Sequence, residues 1–339
     1  MGEKHFVVVG NGPAGHEAAL TLRSRLPEAR ISIISRNCER SYAPRLLPDF
    51  IAGRIPEEEL FLVPSFSLYA DRSIKLRCSQ EVASVDLDRR ELVLGHKEVI
   101  PYDGLILAVG SKPRIPERML AYRDLIHTLK TVADAKLWRQ HLARADEVLL
   151  IGGDLTSLAV TRALLHLGKK VYFLLDEESF WPLRWNEALV AAVSDRLTSR
   201  GVEVLCCGDI LSMAQLDPDT CEVCLEDRTL QVGLVGGFFG LVPDVGFLAR
   251  SGLRLDRGIL VDEYLNTGFA DVYAAGDCAQ IYHPGINDYW VPIGHDNARI
   301  LGKIAALNLA GSVILASVQL ESIFEVQGVK VNTSWWAEF

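Results

Sequence analysis

The sequence predicts an α/β protein made of two parallel-sheet domains, one inserted into the other, and three observations support this. Residues 6–20 read FVVVGNGPAGHEAAL and residues 148–175 read VLLIGGDLTSLAVTRALLHLGKKVYFLL, so one outline of apolar strand, glycine turn and helix occurs twice. Each apolar run is unbroken, which suits a strand buried on both faces of a parallel sheet. Each glycine turn stands at the joint between strand and helix, the context of a Rossmann-like dinucleotide-binding unit. The first domain is expected over residues 1–112 and 245–314, the inserted one over 113–244, and a short extension over 315–339. A Pro-rich stretch at Lys112–Pro116 marks the first crossing.

In the first turn each position has a mechanical reason. Gly10 makes the tight turn, Gly12 lets backbone approach a pyrophosphate, and Gly15 lets the helix pack on the strand, with Pro13 and Ala14 between them. Phosphates would meet the unpaired N–H groups and positive dipole end of the helix. The second strand, ISIISR, arrives at the expected spacing but ends in Ser35-Arg36, where an acidic residue would ordinarily hold a ribose. Ser35 can still hydrogen-bond a hydroxyl, and Arg36 can stack over an adenine face.

Composition narrows the function classes. The 339 residues are 49% hydrophobic and 23% charged, the proportions of a soluble globular protein. A net charge of -9 argues against nucleic acid as a partner. MGEKH runs directly into FVVVG, leaving no room for a signal peptide. The longest uncharged run, 304–320, contains Asn, Gln and two Ser, which makes it a poor membrane span. A cytoplasmic protein is expected. Seven cysteines without a secretory signal suggest reduced thiols. Cys221-x-x-Cys224 and the adjacent pair Cys206-Cys207 read as strand residues pointing to opposite faces, so neither a disulfide nor a metal site is expected.

Three later segments complete an ordered set: LILAVGSKPRIP (105–116), LVGGFFGLVPD (234–244) and DVYAAGDCAQ (271–280). With the two turns in this order, the chain resembles the FAD-dependent pyridine nucleotide–disulfide oxidoreductase superfamily over about residues 5–335. The look is that of the branch holding NADH:rubredoxin oxidoreductases and the flavin module of nitrite reductase. The resemblance implies that Gly10, Gly12 and Gly15 cradle the FAD pyrophosphate and that Asp277, after Gly276, holds the ribityl chain. It places Ala108 and Gly110 at the crossover out of the FAD domain, with Val109 replacing a common threonine. It also aims the helix starting near His295 at the flavin pyrimidine.

SYAPRLLPDFIAG (41–53) departs from relatives that carry a redox cysteine: Tyr42-x-Pro44 is followed by Arg45. Cysteine-relay chemistry is therefore not expected there. Arg45 either holds the flavin or an anionic acceptor, or is a solvated loop residue. Cys278 is expected to be a small buried filler.

The second turn is altered. Relatives with a working NAD(P)H site tend to read G-G-G-x-x-G-x-E, whereas this chain keeps Gly152 and Gly153 and has Asp154, Ser157 and Ala159 at the next three places. A carboxylate at Asp154 would repel a pyrophosphate by about a kcal/mol or more. The ribose-binding acid is either displaced by one residue to Asp176 or missing. Both outcomes stay open: a working NAD(P)H site, or a weakened one.

The resemblance implies an FAD-dependent oxidoreductase passing electrons between NAD(P)H and a one-electron carrier protein such as a rubredoxin- or ferredoxin-like protein. The alternative is an FAD-carrying electron-transfer subunit of a larger iron–sulfur metalloenzyme complex. The aromatic end, Trp335-Trp336-Ala337-Glu338-Phe339, either tucks into the core or docks a partner subunit. A C-terminal dimerisation domain like that of the disulfide reductases is not expected.

Overall fold

A computed structural model describes residues 3–176, 187–205, 210–283, 287–292, 294–316, 323–326 and 329–332. The chain divides into two compact units, one of residues 1–43, 61–112 and 242–319, the other of 44–60, 113–241 and 320–339. The crossings at 112/113 and 241/242 fall in two short strands, Ser111–Pro113 and Leu241–Pro243.

The first unit is built on a five-stranded parallel sheet in the order Val272–Ala274, Gly104–Leu107, His5–Val9, Arg30–Ile34, Ile74–Arg77. His5–Val9 is buried along its length, as its unbroken apolar run requires. The start of this strand is pinned: His5 N donates to Asp103 Oδ2 at 2.7 Å, and its ring bridges the Pro101 carbonyl and Ser32 Oγ, each at 2.8 Å. Helix Pro13–Arg25 follows, with Pro at its first position, where a missing N–H costs nothing, and Arg23 and Arg25 at its negative end. It packs against helix His295–Leu309 so closely that a Cβ on Gly302 would lie 2.1 Å from the Ala14 carbonyl oxygen. A three-stranded antiparallel sheet of Val82–Asp86, Glu91–Leu94 and Val99–Pro101 completes the frame.

The second unit repeats the plan. Its parallel sheet runs Glu203–Leu205, Lys170–Leu175, Glu147–Gly152, Leu234–Phe238, Ile126–His127, beside a three-stranded antiparallel sheet over residues 210–232. Leu149, Ile151, Val223, Val232, Val235 and Phe239 are among the residues of its core.

The segment 44–60, expected in the first domain, clusters with the second unit instead. Leu47, Phe50 and Ile51 are buried. The Arg139 guanidinium lies 4.7 Å from the Phe50 ring centre, and Asp49 takes ion pairs from Arg54 and Arg162. Arg139 and Arg162 are remote in sequence from this segment, which is why the local pattern did not reveal them.

Cys221 is buried and Cys224 half-buried on strand Thr220–Leu225, whose exposure alternates along its length, so the two thiols face opposite ways. Cys206, Cys207 and the five-residue aromatic end lie outside the described residues. Among the described residues no cluster of His, Cys, Asp and Glu is arranged for a metal, and no helix is long and apolar enough to cross a membrane.

Candidate functional site

The first turn is shaped by contacts that forbid side chains. Gly10 has φ +108°, and a Cβ there would sit 2.1 Å from the Ala108 carbonyl oxygen. At Gly15 a Cβ would lie 1.9 Å from the Gly10 oxygen. Gly12 is different. It is the N-cap of the Pro13–Arg25 helix, in extended backbone (φ -74°, ψ -174°), and makes no side-chain cap. Nothing lies within 4 Å of where its Cβ would be. Gly10 and Gly15 are thus required by the fold, whereas Gly12 keeps space open in front of a helix N-terminus whose N–H groups suit an anion. A diphosphate fits this turn.

A buried relay underlies it, and the sequence reading missed it. Tyr69 donates its hydroxyl to Asn11 Oδ1 at 2.7 Å, and Asn11 Nδ2 donates to the Glu39 carbonyl at 3.1 Å. His16 Nδ1 stands 2.8 Å from the same Tyr69 oxygen, with the rings edge-on. Because the single tyrosine proton goes to Asn11, His16 Nδ1 carries a proton and donates it. Burial pushes His16 below the usual histidine range and Tyr69 above the usual phenol range, so both stay neutral. The only sequence signal was a polar residue inside the glycine motif.

The other expected positions collect at the C-terminal edge of the same sheet, where parallel α/β sheets hold their ligands. Ala108 and Gly110 follow strand Gly104–Leu107, and Gly276 and Asp277 follow its neighbour Val272–Ala274. Asp277 Oδ2 accepts from Ser111 Oγ at 2.7 Å, which fixes the carboxylate. His295 is the first residue of helix His295–Leu309, capped by Gly294 at φ +106°. Ser35 is buried, with its N–H on the Arg77 carbonyl and its carbonyl on Gln80 N, both at 2.9 Å. Arg36, expected over an adenine, pairs with Asp244 at 2.9 Å and Glu81 at 3.6 Å. Arg45 is exposed on a short 3-10 turn of segment 44–60. Cys278 is fully buried, with Sγ 3.4 Å from the Leu107 and Ala275 carbonyls, and burial pushes its thiol up to about 11. It is a filler and carries no thiolate at neutral pH.

The second turn repeats this backbone with different chemistry. Gly152 (φ +148°) approaches Phe238 as Gly10 approaches Ala108, with a notional Cβ 2.2 Å from the Phe238 oxygen. Asp154 is the N-cap of helix Leu155–His166 with φ -76° and ψ 170°, close to the backbone of Gly12. Its carboxylate accepts from Ser157 N at 2.8 Å, and the backbone N–H groups of Thr156 and Gly240 also favour its charged form. Ser157, where the first turn has Gly15, is fully buried and donates its hydroxyl to the Asp154 carbonyl at 2.6 Å. Gly153 is buried beside them. Desolvation outweighs these bonds and pushes Asp154 up to about 7. Asp176 ends the next strand, its N–H on the Gly152 carbonyl at 3.0 Å and its carboxylate on Arg118. The donors of this second helix are therefore already held by a carboxylate of the chain. A diphosphate fits here only with those donors released.

The sequence pattern of the pyridine nucleotide-disulphide oxidoreductase family matches residues 4–294. Putidaredoxin reductase of Pseudomonas putida is 29% identical over 326 residues, covering 91% of this chain and 75% of that protein. Nitrite reductase [NAD(P)H] of Bacillus subtilis is 28% identical; the alignment takes in 98% of this chain but 41% of the enzyme. Rubredoxin-NAD(+) reductase of Acinetobacter baylyi is 25% identical over 88% of this chain and 77% of its own length. Among solved structures, the covalent putidaredoxin reductase–putidaredoxin complex superimposes with a TM-score of 0.85 at 24% identity, over 97% of this chain and 80% of that one. At that identity the likeness is one of fold.

Proposed function

The chain belongs to the pyridine nucleotide-disulphide oxidoreductase family, and from that premise we propose that it is an FAD-dependent oxidoreductase passing electrons between NAD(P)H and a one-electron carrier protein of the rubredoxin or ferredoxin kind. The observation that carries this reading is the open, uncapped helix start at Gly12. The relatives named for reducing putidaredoxin and rubredoxin support it. A cytoplasmic location goes with this reading.

The residues divide the work by position. Gly10 and Gly15 bring strand and helix close enough for the N–H groups beyond Gly12 to face a diphosphate, and Asn11 is held in place from below by Tyr69 and Glu39. Asp277, fixed by Ser111, would present an acceptor to the sugar-like hydroxyls of the ribityl chain. The helix that begins at His295 would offer its positive end to the ring system of the bound flavin. FAD, when bound, supplies two-electron acceptance and one-electron release. No side chain of this site has to shuttle a proton for that purpose, and the buried, protonated Cys278 is no covalent relay.

The cap at Asp154 favours a second reading, in which the flavin is filled by iron–sulfur clusters of a larger complex. Anaerobic titration of the FAD-loaded protein with NADH and NADPH separates the two. Bleaching of the visible flavin band at near-stoichiometric nucleotide is the expected result. A flavin reduced by dithionite but by neither nucleotide would support the second reading. A protein unable to take up FAD would end both.

A further inference from the structure

The chain contains the same nucleotide turn twice, and the two differ most at one atom group: the side chain on the helix cap. Gly12 leaves the space in front of its helix open, whereas Asp154, with nearly the same φ and ψ, fills it with a carboxylate that accepts from Ser157 N at 2.8 Å. The N–H groups at the start of a helix are the donors a dinucleotide diphosphate requires. Two anions cannot share them. Resting on the reading that this unit takes a nicotinamide nucleotide, we propose that Asp154 is a built-in occupant of the diphosphate seat, and that the nucleotide enters only when the Asp154 carboxyl is neutral, taking up a proton as it binds.

The geometry sets the proton requirement. An aspartate carboxyl carbon is two bonds from its Cα, and the Asp154 Cα is fixed in the helix cap by Ser157 Oγ on its carbonyl and by the first helical bond, Leu158 N to Asp154 O at 3.3 Å. Rotation can take the carboxyl off the N–H groups, but the side chain still springs from the cap itself and stays a neighbour of a ligand seated there. Beside a diphosphate it must therefore be the acid, which can also donate its O–H to a phosphate oxygen. Its surroundings already lean that way: Asp154 is 7% exposed, and burial is the largest influence on it. The ends of strands Glu147–Gly152 and Leu234–Phe238, and residues Leu155–Thr161 of its own helix, add no ionisable side chain facing it. The end of strand Lys170–Leu175 brings Asp176, which is ion-paired with Arg118. Among the described residues the controlling ionisation is thus that of Asp154.

The test uses the FAD-loaded protein and NAD+, which binds without reducing the flavin. Calorimetric titration in two buffers of different ionisation enthalpy, from pH 6 to 9, gives both Kd and the protons taken up. For the wild type, Kd should weaken by about tenfold per pH unit above about pH 7, with proton uptake approaching one per nucleotide. Asp154→Asn should bind with no pH dependence, and Asp154→Gly should bind at pH 8 about tenfold more tightly than wild type. A wild-type Kd that matches Asp154→Gly at every pH, without proton uptake, would overturn the gate and leave the nicotinamide reading standing. No binding by any of the three proteins at any pH would overturn that reading, and the gate with it.

Discussion

Replacing Gly12 by aspartate would transplant the second cap into the first turn, and the structure sets its consequences. The backbone at Gly12 (φ -74°, ψ -174°) lies close to that of Asp154 (φ -76°, ψ 170°), and a Cβ there meets nothing within 4 Å. The variant should fold, because an aspartate is at least as good an N-cap as glycine, within a few tenths of a kcal/mol. FAD binding should suffer instead. A carboxylate about 4 Å from a phosphate charge costs about 4 kcal/mol at an effective dielectric constant near 20, which corresponds to about a thousandfold in Kd. Gly10→Ala is the opposite case. Its Cβ would lie 2.1 Å from the Ala108 carbonyl oxygen at φ +108°, so the protein should fail to fold or lose its cooperative transition. The assay is flavin retained through gel filtration, Kd from quenching of FAD fluorescence, and far-UV circular dichroism for the fold. Gly12→Asp retaining stoichiometric FAD with an unchanged Kd would refute the assignment of this turn as the diphosphate seat.

Further outcomes follow from the same structure. Asp154 is pushed from 3.8 up to about 7, so between these values it holds a proton in the folded protein that the unfolded chain has lost. Its contribution to stability should therefore be greatest below about pH 4, fall as pH rises towards 7, and be gone above, by about 4 kcal/mol at most. Asp154→Asn should abolish that slope in urea denaturation. Tyr69→Phe leaves Asn11 and His16 without their shared partner and should cost about 1–3 kcal/mol, with faster FAD loss on dilution, because Asn11 lies inside the turn. In native protein, alkylation followed by mass spectrometry should label exposed Cys38 and spare buried Cys278, whose thiol stays protonated.

The two strand–turn–helix units and the glycines at their joints were legible in the sequence, because each depends on local features: an apolar run, a helical pattern, a turn too tight for a Cβ. The change from Gly to Asp154 was visible too, and its charge pointed to trouble for a phosphate. Its burial was not, since Gly240, whose N–H favours the charged carboxyl, comes from more than eighty residues away. Arg36 shows the same limit: Asp244, the partner of its guanidinium, lies over two hundred residues on.

What the sequence determined by itself was the repeated parallel-sheet plan and the kind of ligand its first turn suits, because strand burial and glycine geometry are encoded within a few neighbouring residues. The tertiary structure decided where segment 44–60 packs, how Tyr69, His16 and Asn11 share one hydroxyl, and what the Asp154 carboxylate holds. Each of these is a pairing between groups far apart along the chain. Burial, direction and desolvation are fixed only when the fold brings both partners into the same place.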